Sequence, residues 1–234
     1  MRSEPLPLGE EKTARVRSMF DAIAPRYDLV NRLMTFGLDQ SWRRDTIAAL
    51  ALPPGSLLLD IACGTGDLSR LARRRSYRVV GADLSLGMLV ANRSGTPLLQ
   101  ADCSRLPFAD GTFDGLVCGY ALRNFTDLAA ALAEMARVLR PGGRLAVLEV
   151  DAPTSSLLRS GYDVWFKRVV PLIGGALSDR DAYDYLPRSV AYLPAAPVLR
   201  RMVADAGYSG VAIRPLAGGL SQLLFATRVG VPRP

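Results

Sequence analysis

The stretch Ser56-Leu57-Leu58-Leu59-Asp60-Ile61-Ala62-Cys63-Gly64-Thr65-Gly66-Asp67 runs a nearly continuous apolar segment into a glycine-rich turn. A short apolar run with no polar alternation is what a strand buried on both faces shows. Where such a strand meets its following helix, free helix N–H groups and glycines allow a ligand to approach the backbone closely. The spacing is not G-x-G-x-x-G, and carboxylates stand at both ends of the turn. Asp60 and Asp67 would repel a pyrophosphate and suit a ligand that carries positive charge.

Beyond the turn, helix-like and strand-like pieces alternate. The pattern reads helix Leu68–Arg75, strand Arg78–Ala82, helix Leu86–Arg93, strand Leu98–Ala101, strand Phe113–Gly119, helix Leu128–Leu139 and strand Arg144–Val150. Strands separated by single helices imply βαβ units and a parallel, doubly wound sheet. Pro141-Gly142-Gly143 is expected to stop the helix before the last of these strands. After a helix over Val198–Ala206, Val211–Pro215 and Ser221–Arg228 flank Ala217-Gly218-Gly219 and read as a hairpin closing the sheet as an antiparallel edge. Upstream, Val16, Phe20, Ile23, Tyr27, Val30 and Met34 recur at helical spacing, broken at Ala24-Pro25 and Phe36-Gly37. The expected architecture is one α/β domain, 1–234, with a helical N-terminal cap over 11–50 and a lid insertion over 151–197.

Ligands of open α/β sheets bind at the carboxyl ends of the strands. Asp83 ends the second strand about 20 residues past the glycine turn, where a carboxylate accepts hydrogen bonds from ribose hydroxyls in doubly wound folds. Asp102 follows the third strand and is placed to accept an adenine amino group, with Leu84, Met88 and Leu106 flanking the ring. A single strand-end aspartate is more often a cap or turn residue. The glycine turn, Asp83 and Asp102 at consecutive strand ends together point to adenosine with a positive, amino-acid-bearing tail.

Composition narrows the chemistry. With 234 residues, 49% hydrophobic, the chain can bury a sizeable core without a disulfide or structural metal. It contains no histidine, which excludes imidazole acid–base chemistry, Ser-His-Asp triads and histidine metal sites. Cys63, Cys103 and Cys118 lack zinc-ligand or redox spacing, and no metal is expected. The net charge of +7 is carried almost wholly by scattered arginines, since Lys12 and Lys167 are the only lysines, so nucleic-acid binding is not expected. Residues 1–10 lack the apolar core of a signal peptide and no run is long enough to span a bilayer, so the expectation is a cytoplasmic, non-integral protein.

Taken together, the glycine turn, Asp83, Ala101-Asp102 with Leu106-Pro107-Phe108, Phe113-Asp114 and Arg137–Gly143 resemble the class I S-adenosylmethionine-dependent methyltransferases, whose fold is Rossmann-like with a seven-stranded, mostly parallel sheet. Two further stretches resemble the quinone-biosynthesis C-methyltransferases, which act on demethylmenaquinone or a ubiquinone precursor. One runs from Phe20-Asp21 through Tyr27-Asp28, Asn31, Leu33-Met34 and Phe36-Gly37 to Trp42-Arg43-Arg44; the other is Leu122-Arg123-Asn124. The chain departs from that family at Asp39, where the family often has His, at Asp151 and Gly119, where it has Ser, and in the segment after Gly219.

The resemblance implies S-adenosyl-L-methionine as cofactor, held by Tyr27, Asp60, Gly64, Thr65, Gly66, Asp83, Leu84, Met88, Asp102, Cys103 and Gly119. Methyl transfer to a ring carbon needs little acid–base help once the ring is electron-rich, so positioning and a dry pocket matter most. Arg123 is the candidate for stabilising a phenolate, Asn124 for orienting the ring oxygen and Asp28 for a base. The implied acceptor is a prenylated quinol, demethylmenaquinol before others. In the lid, Trp165, Phe166, Val169, Val170, Leu172 and Ile173 beside Lys167 and Arg168 fit peripheral membrane contact or an ordinary core equally well. The sequence leaves the oligomeric state open. Two rival functions remain: a methyltransferase of this fold acting on another small molecule, and a non-catalytic accessory protein that binds the cofactor or a quinone.

Overall fold

A computed structural model describes residues 8–151, 185 and 188–230. These form a seven-stranded sheet in the order β3-β2-β1-β4-β5-β7-β6. The strands are β1 Leu57–Ile61, β2 Arg78–Asp83, β3 Leu98–Gln100, β4 Phe113–Gly119, β5 Leu139–Val150, β6 Tyr208–Leu216 and β7 Ser221–Arg228. β3, β2, β1, β4 and β5 pair parallel in that order, as the alternating pattern predicts. The hairpin expected at the sheet margin is present, and its antiparallel member is the inner strand. β7 pairs antiparallel with β5 and with β6, so β6 forms the margin and runs in the same direction as the parallel strands.

The apolar runs bury both faces of the sheet, as their lack of alternation requires. Neighbours on one strand point to opposite sides. Leu59, Leu116 and Val147 enter one core with Leu132 and Met135 of helix α6 (Leu128–Val138), while Leu58, Val117 and Ala146 enter the other with Ile47, Leu50 and Leu68. β5 begins earlier than its proline-glycine signal implies. Helix α6 ends at Val138, and Leu139 already pairs with Phe113 before the register shifts to Gly115–Arg144. Pro141-Gly142-Gly143 therefore forms an irregularity inside the strand, with Gly142 at φ +77°, instead of a separate loop.

The N-terminal cap follows its predicted breaks. Helix α1 (Gly9–Ile23) ends in a 3-10 turn at Ala24–Arg26, α2 spans Tyr27–Met34, and α3 spans Asp39–Ala49 after Phe36 and Gly37 take positive φ. α2 and the end of α1 pack through Ile23, Val30 and Met34 onto Met88 of α5 (Leu86–Ala91). Of the predicted lid, residues 152–184 and 186–187 lie outside the described residues, and with them Trp165–Ile173, expected to make either a peripheral membrane contact or an ordinary core. Among the described residues no helix is long and apolar enough to cross a membrane.

One buried charge pins the cap to the sheet domain. Lys12 Nζ donates to the carbonyls of Arg123 (2.9 Å) and Phe125 (2.8 Å) and sits 3.8 Å from the centre of the Tyr192 ring. Lys12→Met keeps the stem and orphans two acceptors, so it should cost about 1–3 kcal/mol of unfolding free energy. Urea denaturation with unchanged m-value reads that loss.

Candidate functional site

The glycine turn begins where β1 ends, and its shape is set by backbone positions that glycine accepts. Gly64 and Gly66 have φ +52° and +88°, and Gly66 caps helix α4 (Asp67–Arg74) in the left-handed conformation. A side chain at Gly66 would collide with Asn92 and Ser94, which explains glycine there by packing. Ala62 and Tyr120, at the carboxyl ends of neighbouring strands β1 and β4, also have positive φ. Non-glycine residues so placed cost of order 1–3 kcal/mol each and concentrate at functional sites.

A cavity of about 340 Å³ opens along these strand ends. Of the residues predicted to hold a cofactor, Tyr27, Gly64, Thr65, Asp83, Leu84, Met88, Asp102, Cys103 and Gly119 line it. Asp83 accepts hydrogen bonds from Gly64 N (2.8 Å) and Ser85 N (2.8 Å), which fixes the glycine turn against β2 and leaves acceptor capacity on both oxygens. Burial raises its pKa, opposed by those backbone donors. The Oδ1 of Asp102 accepts from Ser104 N and Oγ, and the exposed carboxylate borders the opposite end of the cavity.

Gly66 and Asp60 are not among the lining residues. Asp60 is 1% exposed behind the turn, where Oδ2 accepts from Ser69 Oγ (2.6 Å) and Oδ1 has no partner. Burial pushes its pKa up to about 7. An interior carboxylate short of a positive partner, behind a glycine turn that leaves space at Gly64, fits a ligand with a cationic tail.

The catalytic expectations divide. Asn124 lines the cavity and accepts from Tyr185 OH at 3.4 Å. Arg123 does not reach the described wall. Its guanidinium is buried against Glu149 (2.5 Å), Tyr120 O (2.7 Å) and Ser189 Oγ (3.1 Å), because an arginine withdrawn from water is stable only when paired. Asp28 is likewise off the described wall, its carboxylate taking the Thr65 hydroxyl at 2.5 Å. It ties the cap to the glycine turn.

Sequence reading passed over a second cluster. Arg43 lines the cavity, and its Nε lies 3.3 Å from Asp39 and 3.6 Å from Asp67. Gln40 Nε2 bridges the same two carboxylates at 3.0 and 3.3 Å, and Arg70 pairs with Asp67. The available signal was the Trp42-Arg43-Arg44 motif together with the departure at Asp39. The cap adds Val16, Phe20 and Tyr27 as an apolar cover. Burial raises the pKa of every cysteine thiol, so none is poised as a nucleophile.

Asp60 makes a pH signature. Its folded pKa of about 7 exceeds the reference 3.8, so its contribution to stability is complete below the lower value and is lost as pH rises through the higher. In Asp60→Asn, the fall of melting temperature between about pH 4 and about pH 7 should flatten. An unchanged slope in thermal melts would remove this reading.

A model of the ubiE/COQ5 methyltransferase family matches residues 8–228. The chain is 40% identical over 225 residues to the ubiquinone/menaquinone biosynthesis C-methyltransferase UbiE of Geobacter sulfurreducens, covering 91% of this chain and 88% of that one. It is 42% identical over 215 residues to the demethylmenaquinone methyltransferase of Mycolicibacterium paratuberculosis, covering 91% and 94%. Among solved structures, an S-adenosylmethionine-dependent methyltransferase of Thermotoga maritima, titled a possible histamine N-methyltransferase, aligns with TM-score 0.64 at 18% identity over 91% of this chain and 99% of that one. That likeness supports the Rossmann-like methyltransferase fold. The extent of the family match and the identities over nine-tenths of the chain establish that this protein belongs to the ubiE/COQ5 methyltransferase family.

Proposed function

We propose that the cavity binds S-adenosylmethionine and that the protein C-methylates a prenylated quinol, demethylmenaquinol before other acceptors. The observation that carries this reading is the continuity of one cavity, from the nucleoside-type residues Asp102, Asp83 and Gly64 to Asn124 of the Leu122-Arg123-Asn124 turn. The printed names of the curated relatives supply the acceptor class. The cofactor would bring an electrophilic methyl group on a sulfonium.

The chain's own contribution is alignment and dryness. Asp83 would hold the ribose and Asp102 with the Cys103 backbone the adenine, while Met88 and Leu84 pack the ring. The acceptor carbon gains electron density when its neighbouring hydroxyl loses a proton, and an ordered amide at Asn124 would orient that oxygen. Val16, Phe20, Tyr27 and Phe125 keep the reacting region apolar. Arg123, neutralised by Glu149, works in this scheme by holding the turn that carries Asn124, and Asp28 by fastening Thr65.

Purified protein given S-adenosylmethionine and a reduced short-chain demethylmenaquinone should release S-adenosylhomocysteine and yield a quinone heavier by one methyl group. Turnover only with a different acceptor would overturn the substrate, and cofactor binding without release of S-adenosylhomocysteine from any acceptor would favour an accessory protein. Asn124→Ala should lower kcat roughly ten- to hundredfold while leaving cofactor affinity unchanged.

A further inference from the structure

Arg43 is 7% exposed, and withdrawing a guanidinium from water costs several kcal/mol unless its donors are used. Asp39 takes Nε, with Asp67 beyond it. Among the described residues, neither Nη1 nor Nη2 has a hydrogen-bond partner, and the side chain stands on the cavity wall. Nη1 lies 3.7 Å from where a Cβ on Gly119 would stand, so the fork reaches the carboxyl end of β4. The guanidinium carbon is 5.5 Å from the centre of the Tyr120 ring.

Sheet order then says which part of a ligand meets this fork. The strand ends along the cavity run β3, β2, β1, β4, carrying Asp102, Asp83, the glycine turn and Gly119 in that order. Three strand spacings amount to about 14 Å, roughly the length of an extended nucleoside amino acid. With adenosine at the β3–β2 end, the amino-acid tail falls at the β1–β4 end, beside Arg43. Arg43 and Arg70 pair there with Asp39 and Asp67. A tail carboxylate would meet two free, forked donors that match its geometry.

We infer that Arg43 is the anchor for the α-carboxylate of the cofactor's amino-acid tail, with Asp39 and Asp67 fixing its orientation through Nε. This rests on the cofactor proposed above and adds a residue that sets its affinity and the direction of its tail. Asp39 thereby has a positioning task at the point where this chain departs from the histidine common in its family.

Calorimetry with two ligands tests it: S-adenosylmethionine, and decarboxylated S-adenosylmethionine, which keeps everything but the carboxylate. Arg43→Gln should weaken the first about ten- to hundredfold, the range of a charge-assisted pair, and leave the second unchanged or tighter. Arg43→Lys keeps the charge without the fork and should fall between, which covers the case in which Arg43→Gln does not fold. Equal losses for both ligands, or no loss for either, would overturn the anchor. Wild-type protein that binds neither nucleoside would instead overturn the cofactor reading itself.

Discussion

The hydrogen bond from Gly64 N to Asp83 is the contact on which the site depends. Its partners come from the ends of two adjacent parallel strands, and the same carboxylate takes the Ser85 amide, where α5 begins. One side chain thereby sets the spacing between the glycine turn, the second strand and the helix whose Met88 lines the cavity. Each oxygen of Asp83 accepts one backbone amide and keeps acceptor capacity on the cavity wall. Asn92 Nδ2 donating to Gly64 O (2.8 Å) and Gly66 N donating to Cys63 O (2.9 Å) hold the same turn from its other sides.

A cap docked on this frame lines part of the cavity, and polar fastenings add to the apolar packing of Ile23, Val30 and Met34 on Met88. Asp28 takes Thr65, Asp21 takes Ser85 Oγ and Gly87 N, and Lys12 spans the carbonyls on either side of Asn124. The chain has no histidine, and its site chemistry falls to arginines and carboxylates held in pairs. Arg123 with Glu149 and Arg43 with Asp39 are both buried, and they differ in what is left over. The first has its charge met inside the protein, which suits holding a loop. The second keeps donors turned to the cavity, which suits holding a ligand.

Much of this was legible in the residues. Apolar runs without alternation marked strands buried on both faces, and the helical period of the cap was legible with its interruptions at Ala24-Pro25 and Phe36-Gly37, which fall between α1, α2 and α3. Asp83 and Asp102 were legible because strand-end position in a parallel sheet is itself a spatial statement. Other features depend on contacts between residues far apart in the chain. Arg123 turns toward Glu149, 26 residues on, and Arg43 reaches Asp67 and Gly119 because α3 lies against α4 and the β4–β5 pair. The proline-glycine signal at 141–143 predicted a break, and pairing of Leu139 with Phe113 absorbed it into β5. Asp60 looked like a ligand contact by position, yet it is buried off the cavity wall and accepts from Ser69 of α4.

The central claim is that one ligand lies along four strand ends in a fixed direction. A crystal structure of the protein with S-adenosylhomocysteine measures that directly. The account predicts adenine beside Asp102, ribose hydroxyls on Asp83 and the amino-acid tail at the β1–β4 end next to the glycine turn. A nucleoside bound in the reverse direction, or outside this cavity, would contradict it.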